Sequence, residues 1–378
     1  IEQTMALKSL VSNPIKALKQ FIPLLINLAV ETDNDTIYAS CNLSGPVTQK
    51  INPIKSKIKV SKLLELCSLI ETIARRRDAT EQFKNLGKRL YQAVIPEKIR
   101  QELHKAIQFA SSQNVPVNLM INSSRNLMAV PYELFYSEDP SINEFLSTKF
   151  PLYRFPVEKK LMSIEKLTSR IAKVLLIAAN PLGGEFDLPN VDTENRNIRD
   201  LLTKIGIQTK MITSDQATLQ KVLEELLVNE YEAIHFSGHG IFNAKNPMES
   251  GLVLGLKGKT PEYLTAINIK EMLEETKLKL IFLNSCYSAT HSSQELTKDE
   301  VLGIADAFIQ VGVPTIVGMQ WPVTDKGALI LSEKFYEQVF KNNVDFPTAL
   351  KLSRLQVIAQ RPRDPSWACP MLVKHPSL

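Results

Sequence analysis

The chain has 378 residues, of which 44% are hydrophobic and 22% charged, a globular composition that argues against disorder and leaves room for two domains. Forty-five basic against 40 acidic residues give a net charge of +5, too slight and too scattered to argue for a direct nucleic-acid partner. The longest apolar run, Phe21–Val30, contains Pro23 and Asn27 and falls well short of the ~20 residues that span a bilayer, so no membrane partner is expected.

In chain order, residues 1–21 read as a lysine-dotted leader broken at Pro14, and the opening Ile1 suggests a connection to an upstream module. Leu24–Val30 and Thr36–Leu43 flank the polar cluster Glu31–Asp35, which predicts a hairpin. Helical spacing follows over Val60–Ala74, Gln82–Ala93 and Pro96–Ser111, the last with proline where a helix start tolerates it. Arg75-Arg76-Arg77 reads as a solvated helix face. Val115–Ile121 and Leu127–Val130 read as a further strand pair. After about Ile164 the rhythm changes. Strand-like runs Val174–Ala179, Ile207–Ile212, Ala233–Phe236, Leu278–Leu283 and Thr315–Met319 alternate with helical patterns at Glu194–Ile205, Thr218–Leu227, Ile269–Glu275, Val301–Val311 and Lys326–Val339. That alternation specifies βαβ units, hence an α/β fold with a mostly parallel sheet flanked by helices.

Four cysteines at 41, 67, 286 and 369 show no Cys-x-x-Cys spacing, which suits a reducing cytoplasm and argues against disulfides or structural zinc. With five histidines and no metal-ligand spacing, neither a metal nor an organic cofactor is expected. Two stretches carry the chemistry. His235-Phe236-Ser237-Gly238-His239-Gly240 follows the strand run Tyr231–Ile234, and Asn284-Ser285-Cys286 follows Leu278–Leu283. Loops at the carboxyl ends of neighbouring parallel strands converge on one crevice. A thiol and an imidazole delivered there suffice for covalent acyl transfer, Cys286 attacking and His239 taking its proton. The interval is 286 − 239 = 47 residues, close to the roughly 50-residue His-to-Cys gap of caspases.

At these residues the chain resembles the CHAT domain family of caspase-like cysteine peptidases, related to caspases and separases. Leu127–Leu134 is similar to the family's Pro-Trp-Glu-Leu segment, with Tyr132 in place of Trp. His235–Gly240, Ser250–Leu254 and Leu283–Ser288 resemble its His-Phe-Ser-Gly-His-Gly, Ser-Gly-Leu and Cys-bearing motifs, and Leu175–Pro181 followed by Glu194 its opening strand and helix-borne acid. Trp321-Pro322-Val323-Thr324-Asp325 and Trp367-Ala368 look like its two closing signatures. The resemblance implies a catalytic lobe at 165–378 beside a non-catalytic caspase-like lobe at 22–164. It also implies cleavage of a restricted set of protein substrates, an activating sensor or partner protein, and a place in bacterial defence or cell death.

From the same resemblance, the Gly240 N–H joins that of Cys286 as the oxyanion hole. His235, inside the strand run, reads as a satisfied core or supporting histidine. Glu194 stands at a helix start, either as a dipole-favoured acid or as a polar wall of the substrate cleft. Asp325 is either the acid for a basic P1 side chain or the N-cap of the following helix. Cys41, Cys67 and Cys369 read as packing residues. Two rivals remain: a catalytically silent scaffold of the same fold, and a nucleotide site at Asn180-Pro181-Leu182-Gly183-Gly184, which lacks a P-loop or dinucleotide signature.

Overall fold

In the computed structural model, residues 22–33, 36–44, 54–76, 79–123, 130–156, 171–182, 187–241, 243, 246–273, 278–286, 299–321 and 323–374 are described. The chain forms two compact units, Ile1–Lys159 and Lys160–Leu378.

In the first unit, β1 (Ile22–Asp33) and β2 (Thr36–Ser44) form the expected hairpin, with Asp33 opposite Thr36. A third strand, β3 (Ile54–Lys59), adds antiparallel to β2. Three helices follow: α1 (Val60–Ala74), α2 (Ala79–Val94) and α3 (Glu97–Ser112). Helix α1 buries Leu63, Leu66, Ile70 and Ile73, the three-and-four spacing that marks one helix face. The next strand, β4 (Val117–Ser123), departs from the expected pairing with 127–130. It is central, with β1 parallel on one side and β7 (Leu152–Pro156) parallel on the other. Both of its edges are therefore taken, and a local hairpin return has no place to pair; Val130 is a buried loop residue, and 124–129 lie outside the described residues. Between β4 and β7 stand the short pair β5 (Tyr136–Ser137) and β6 (Glu144–Phe145) and one turn of helix, α4 (Leu146–Lys149). Glu133 and Arg154, both with fully buried side chains, pair beneath the Tyr132 ring, whose centroid lies 4.9 Å from the guanidinium carbon. The Pro-Tyr-Glu-Leu segment is thus the anchor of a buried ion pair.

The second unit follows the βαβ rhythm. β8 (Lys173–Ala178), α5 (Val191–Lys204), β9 (Gln208–Ile212), α6 (Leu219–Val228) and β10 (Ala233–Ile241) are followed by the antiparallel ribbon β11 (Gly251–Lys257) and β12 (Thr260–Thr265). Then come α7 (Ala266–Leu273), β13 (Leu280–Cys286), α8 (Asp299–Gln310), β14 (Thr315–Met319), α9 (Asp325–Tyr336), a π turn at Glu337–Lys341, α10 (Phe346–Gln360) and β15 (Pro370–Lys374). The sheet order is β9-β8-β10-β13-β14-β15; the first four pairings are parallel and the last antiparallel. Helix α10 is invisible to apolar periodicity because its inward face includes Ser353 and Arg354, both buried. The Arg354 guanidinium donates to the carbonyls of Trp367, at 2.8 Å, and Pro370, which ties α10 to the start of β15.

Candidate active site

The strands that carry the motifs run further than their apolar runs suggest. Hydrogen-bonded pairing continues through Ser237, Gly238 and His239 on β10 and through Asn284, Ser285 and Cys286 on β13. The glycines flanking His239 therefore sit in extended strand and make no sharp bend there. Gly238 has a different reason to be glycine: a β-carbon on it would lie 2.6 Å from the Phe236 ring and 2.8 Å from the Ala179 carbonyl oxygen. Only a residue without a side chain lets β10 pass the end of β8.

Register places His239 directly beside Cys286 at the carboxyl ends of two parallel strands. Paired positions on a pleated sheet share a face, and the same face carries the pairs Ser237–Asn284 and His235–Phe282 one and two steps below. The His235 ring stacks on Phe282 with centroids 5.1 Å apart, as that register requires. His239 and His235 are both fully buried. At Gly240 the strand changes partner: Gly240 lies opposite Leu252 and Ile241 opposite Gly251, so the ribbon of β11 and β12 hangs from the tip of β10.

Beneath the His239–Cys286 pair lies a polar network centred on Glu194 of α5. Its Oε1 accepts from Asn284 Nδ2 at 2.6 Å and its Oε2 from the Ser237 hydroxyl at 3.0 Å. The Ser332 hydroxyl of α9 stands 3.1 Å from Oε1 and 2.6 Å from the Ala328 carbonyl, so its single proton serves one acceptor at a time. His235 Nε2 lies 3.0 Å from Ser237 Oγ and 3.4 Å from Glu194 Oε1, and its Nδ1 lies 2.8 Å from the Tyr336 hydroxyl. Because Ser237 gives its proton to the carboxylate, the hydrogen bond between His235 Nε2 and Ser237 Oγ runs from the ring nitrogen to the hydroxyl oxygen. Burial alone would raise the Glu194 pKa, but the hydrogen bonds from His235, Asn284 and Ser237 outweigh it and hold the carboxyl below its ordinary value. Burial and the Glu194 charge together push the Tyr336 hydroxyl well above its usual range. His235 is thus a satisfied supporting histidine. Glu194 holds up the sheet edge as well as standing in the first turn of its helix. Sequence reading missed the roles of Asn284, Ser237, Ser332 and Tyr336; Asn284, a polar residue ending an apolar strand, was the available signal.

Asp325 is the first residue of α9, and the N-cap is its neighbour. Thr324 Oγ1 accepts the Gly327 N–H at 3.0 Å, which corrects the reading of Asp325 as the cap. Thr324 is held in turn by Asp364: Thr324 Oγ1 donates to Asp364 Oδ2 at 2.6 Å, while Asp364 Oδ1 accepts the Ser366 N–H and hydroxyl at 3.0 and 2.6 Å. Cys369 exchanges hydrogen bonds with the Trp321 backbone, its Sγ donating to the carbonyl at 2.9 Å and accepting the N–H at 3.3 Å. The two closing signatures of the sequence therefore interlock. Asp364-Pro365-Ser366, an acid before Pro at a helix start, was the overlooked signal.

A cavity of about 360 Å³ opens at this end of the sheet, lined by residues 187–191, Thr193, Glu194, Asn284, Val323, Lys326, Ala328 and Leu329. Asn180 uses its side-chain amide within the loop after β8, donating to Asp187 Oδ1 at 2.7 Å and accepting the Leu188 N–H at 2.9 Å. The glycines of the supposed nucleotide loop, 183 and 184, lie outside the described residues, as does 287–298. Cys67 and Cys369 are both buried. Among the described residues no group of three or more His, Cys, Asp or Glu is placed to hold a metal ion, and no helix is long and apolar enough to cross a membrane.

The CHAT domain profile matches residues 84–374. The chain belongs to the CHAT domain family. Among solved structures, the CHAT chain is similar to separase of Saccharomyces cerevisiae in two separase–securin complexes. Identity is 13% in both, with 98% of this chain and 31% of that chain covered and TM-scores of 0.53 and 0.51. The chain therefore spans about a third of the length of that separase. It also aligns with the Arg-specific cysteine proteinase gingipain R, at 12% identity over 83% of this chain and 76% of that one, with a TM-score of 0.48. No curated protein sequence matches. The caspase-like α/β fold expected from the motifs is the fold of the molecule.

Proposed function

We propose that this CHAT protein is a cysteine endopeptidase with Cys286 as nucleophile and His239 as general base. The observation that carries the reading is the register pairing of His239 with Cys286 on adjacent parallel strands. His239 takes the thiol proton, and the Cys286 thiolate attacks the scissile carbonyl carbon. The N–H groups of Gly240 and Cys286 receive the oxyanion, a role in which one donor is worth about 10²–10³ in rate. The tetrahedral adduct collapses with loss of the amine, which leaves with the proton from His239. Water, deprotonated by His239, then hydrolyses the thioester.

Asp325, the first residue of α9, is the proposed acid for a basic P1 side chain, and Glu194 supports the same wall through Asn284. An activating sensor or partner protein, and a role in bacterial defence or cell death, belong to the same proposal and rest on the family resemblance. Weak cleavage is expected of the purified chain alone, and full turnover with no added factor would remove the activator from it.

Cleavage-site profiling of wild type, Cys286→Ala and His239→Ala tests the reading. The expected result is cleavage by wild type, loss in both variants and unchanged unfolding midpoints. Persistent cleavage by Cys286→Ala overturns it; a wild type that neither cleaves nor reacts with a peptide warhead leaves the silent scaffold.

A further inference from the structure

Asn284 has two chemically different ends, and the structure tells them apart. An ionised carboxylate only accepts hydrogen bonds, so the end of the amide 2.6 Å from Glu194 Oε1 is the nitrogen, and the oxygen turns away from Glu194. The donors that hold the Glu194 carboxyl below its ordinary pKa keep it ionised at neutral pH. Asn284 is only 8% exposed, and its Oδ1 has no hydrogen-bond partner among the described residues, yet the side chain lines the 360 Å³ cavity. Cavity walls from Leu188, Pro189, Val191, Val323, Ala328 and Leu329 are largely apolar; of the three charged liners, Asp187 and Lys326 are exposed at its rim and Glu194 is the carboxylate that holds the Asn284 amide. Asn284 stands two residues before Cys286 on the same strand, about 7 Å along it.

We propose that this cavity receives the side chain on the amino side of the scissile bond, and that Asn284 Oδ1, locked in orientation by Glu194, selects a side chain whose tip donates a hydrogen bond. The substrates are then peptides with Lys, Arg or Gln at that position: an apolar stem against the walls and a donor at the floor. Acceptor-only tips such as Glu, and tips with no polar group, leave a nearly buried oxygen unpaired. Sites that hydrogen-bond a substrate group discriminate against analogues lacking it much more strongly than apolar pockets discriminate by size. The proposal rests on the peptidase reading. It differs from a purely electrostatic preference set by Asp325, because it favours neutral Gln over Glu and does not require a positive charge.

Matched fluorogenic peptides that differ only at this position test it: Gln against Glu, and Lys against norleucine, which has a similar stem and no donor. Wild type is expected to favour Gln and Lys by at least about tenfold in kcat/KM, or 1.4 kcal/mol. In Glu194→Gln the new amide can donate to Asn284 Oδ1 and let the Asn284 NH₂ face the cavity, so Glu should gain on Gln. In Asn284→Leu the Lys-to-norleucine ratio should fall toward one. Asp325→Ala should keep the Gln-over-Glu preference. Equal cleavage of Gln and Glu peptides by wild type overturns the proposal while the peptidase reading stands. Absence of any cleavage, together with no labelling of Cys286 by a peptide warhead, removes both. If Glu194→Gln fails to fold, Asn284→Leu and the wild-type ratios decide.

Discussion

Gly238 passes Ala179 so closely that a β-carbon on it would lie 2.8 Å from the Ala179 carbonyl oxygen, with the Phe236 ring tighter still at 2.6 Å. The carbonyl belongs to backbone at the end of β8 and cannot swing aside. Gly238→Ala should cost about 1–3 kcal/mol, the usual range for overpacking, and should shift β10 where it carries His239. Urea unfolding and warhead labelling of Cys286 check this; a wild-type midpoint with wild-type labelling would show that the strand accommodates the methyl group.

Asp364 is 5% exposed and accepts from Ser366, Thr324 and Arg361. Burial works to raise its pKa, but those donors outweigh burial and hold it below the ordinary aspartate value. A depressed folded pKa contributes stability that is fully present above the unfolded value, about 3.9, and is lost as pH falls through the folded value. Asp364→Asn should therefore flatten the acid limb of the stability profile and cost about 1.5–3 kcal/mol at neutral pH. It should also loosen Thr324 at the start of α9. An acid limb as steep as in wild type would place that pH dependence in other carboxyls.

The Glu133–Arg154 pair has no exposed side-chain surface. Removing one partner strands a buried charge, so Glu133→Ala should lose about 3–5 kcal/mol, whereas replacing both with apolar residues of similar volume should be close to neutral. Denaturant unfolding of the two single variants and the double variant tests this, and additive losses in the double would count against it.

Ser137, His104 and Asp139 reproduce the connectivity of a serine hydrolase triad, with Ser137 Oγ 3.1 Å from His104 Nε2 and His104 Nδ1 3.1 Å from Asp139 Oδ2. Ser137 is nevertheless only 1% exposed, and its oxygen already accepts the Asp139 N–H at 3.2 Å. The arrangement ties α3 to the loop after β5. A fluorophosphonate probe is expected to leave Ser137 unlabelled, and Ser137→Ala to lower the melting midpoint; labelling at Ser137 would refute the tie as its role.

Local sequence was enough for the elements whose signal is local. Apolar runs placed β8, β9 and β14 to within about one residue, helical spacing placed α1, and the polar cluster at the end of β1 placed the hairpin turn. The identities of His239 and Cys286, each near a strand end, were equally legible. Tertiary structure decided what depends on partners far along the chain. Three of the donors to Glu194 lie 43, 90 and 138 residues away, on three different elements, and the Thr324–Asp364 bond spans 40 residues. No periodicity encodes such pairings, because each is a property of two strands or helices brought together by the packed sheet. For the same reason β10 and β13 outran their apolar runs: hydrogen bonds to neighbouring strands keep Gly238, His239 and Cys286 extended where hydrophobicity has already ended. The sequence by itself determined which side chains could do chemistry. Only the register of two parallel strands decided that His239 and Cys286 stand side by side.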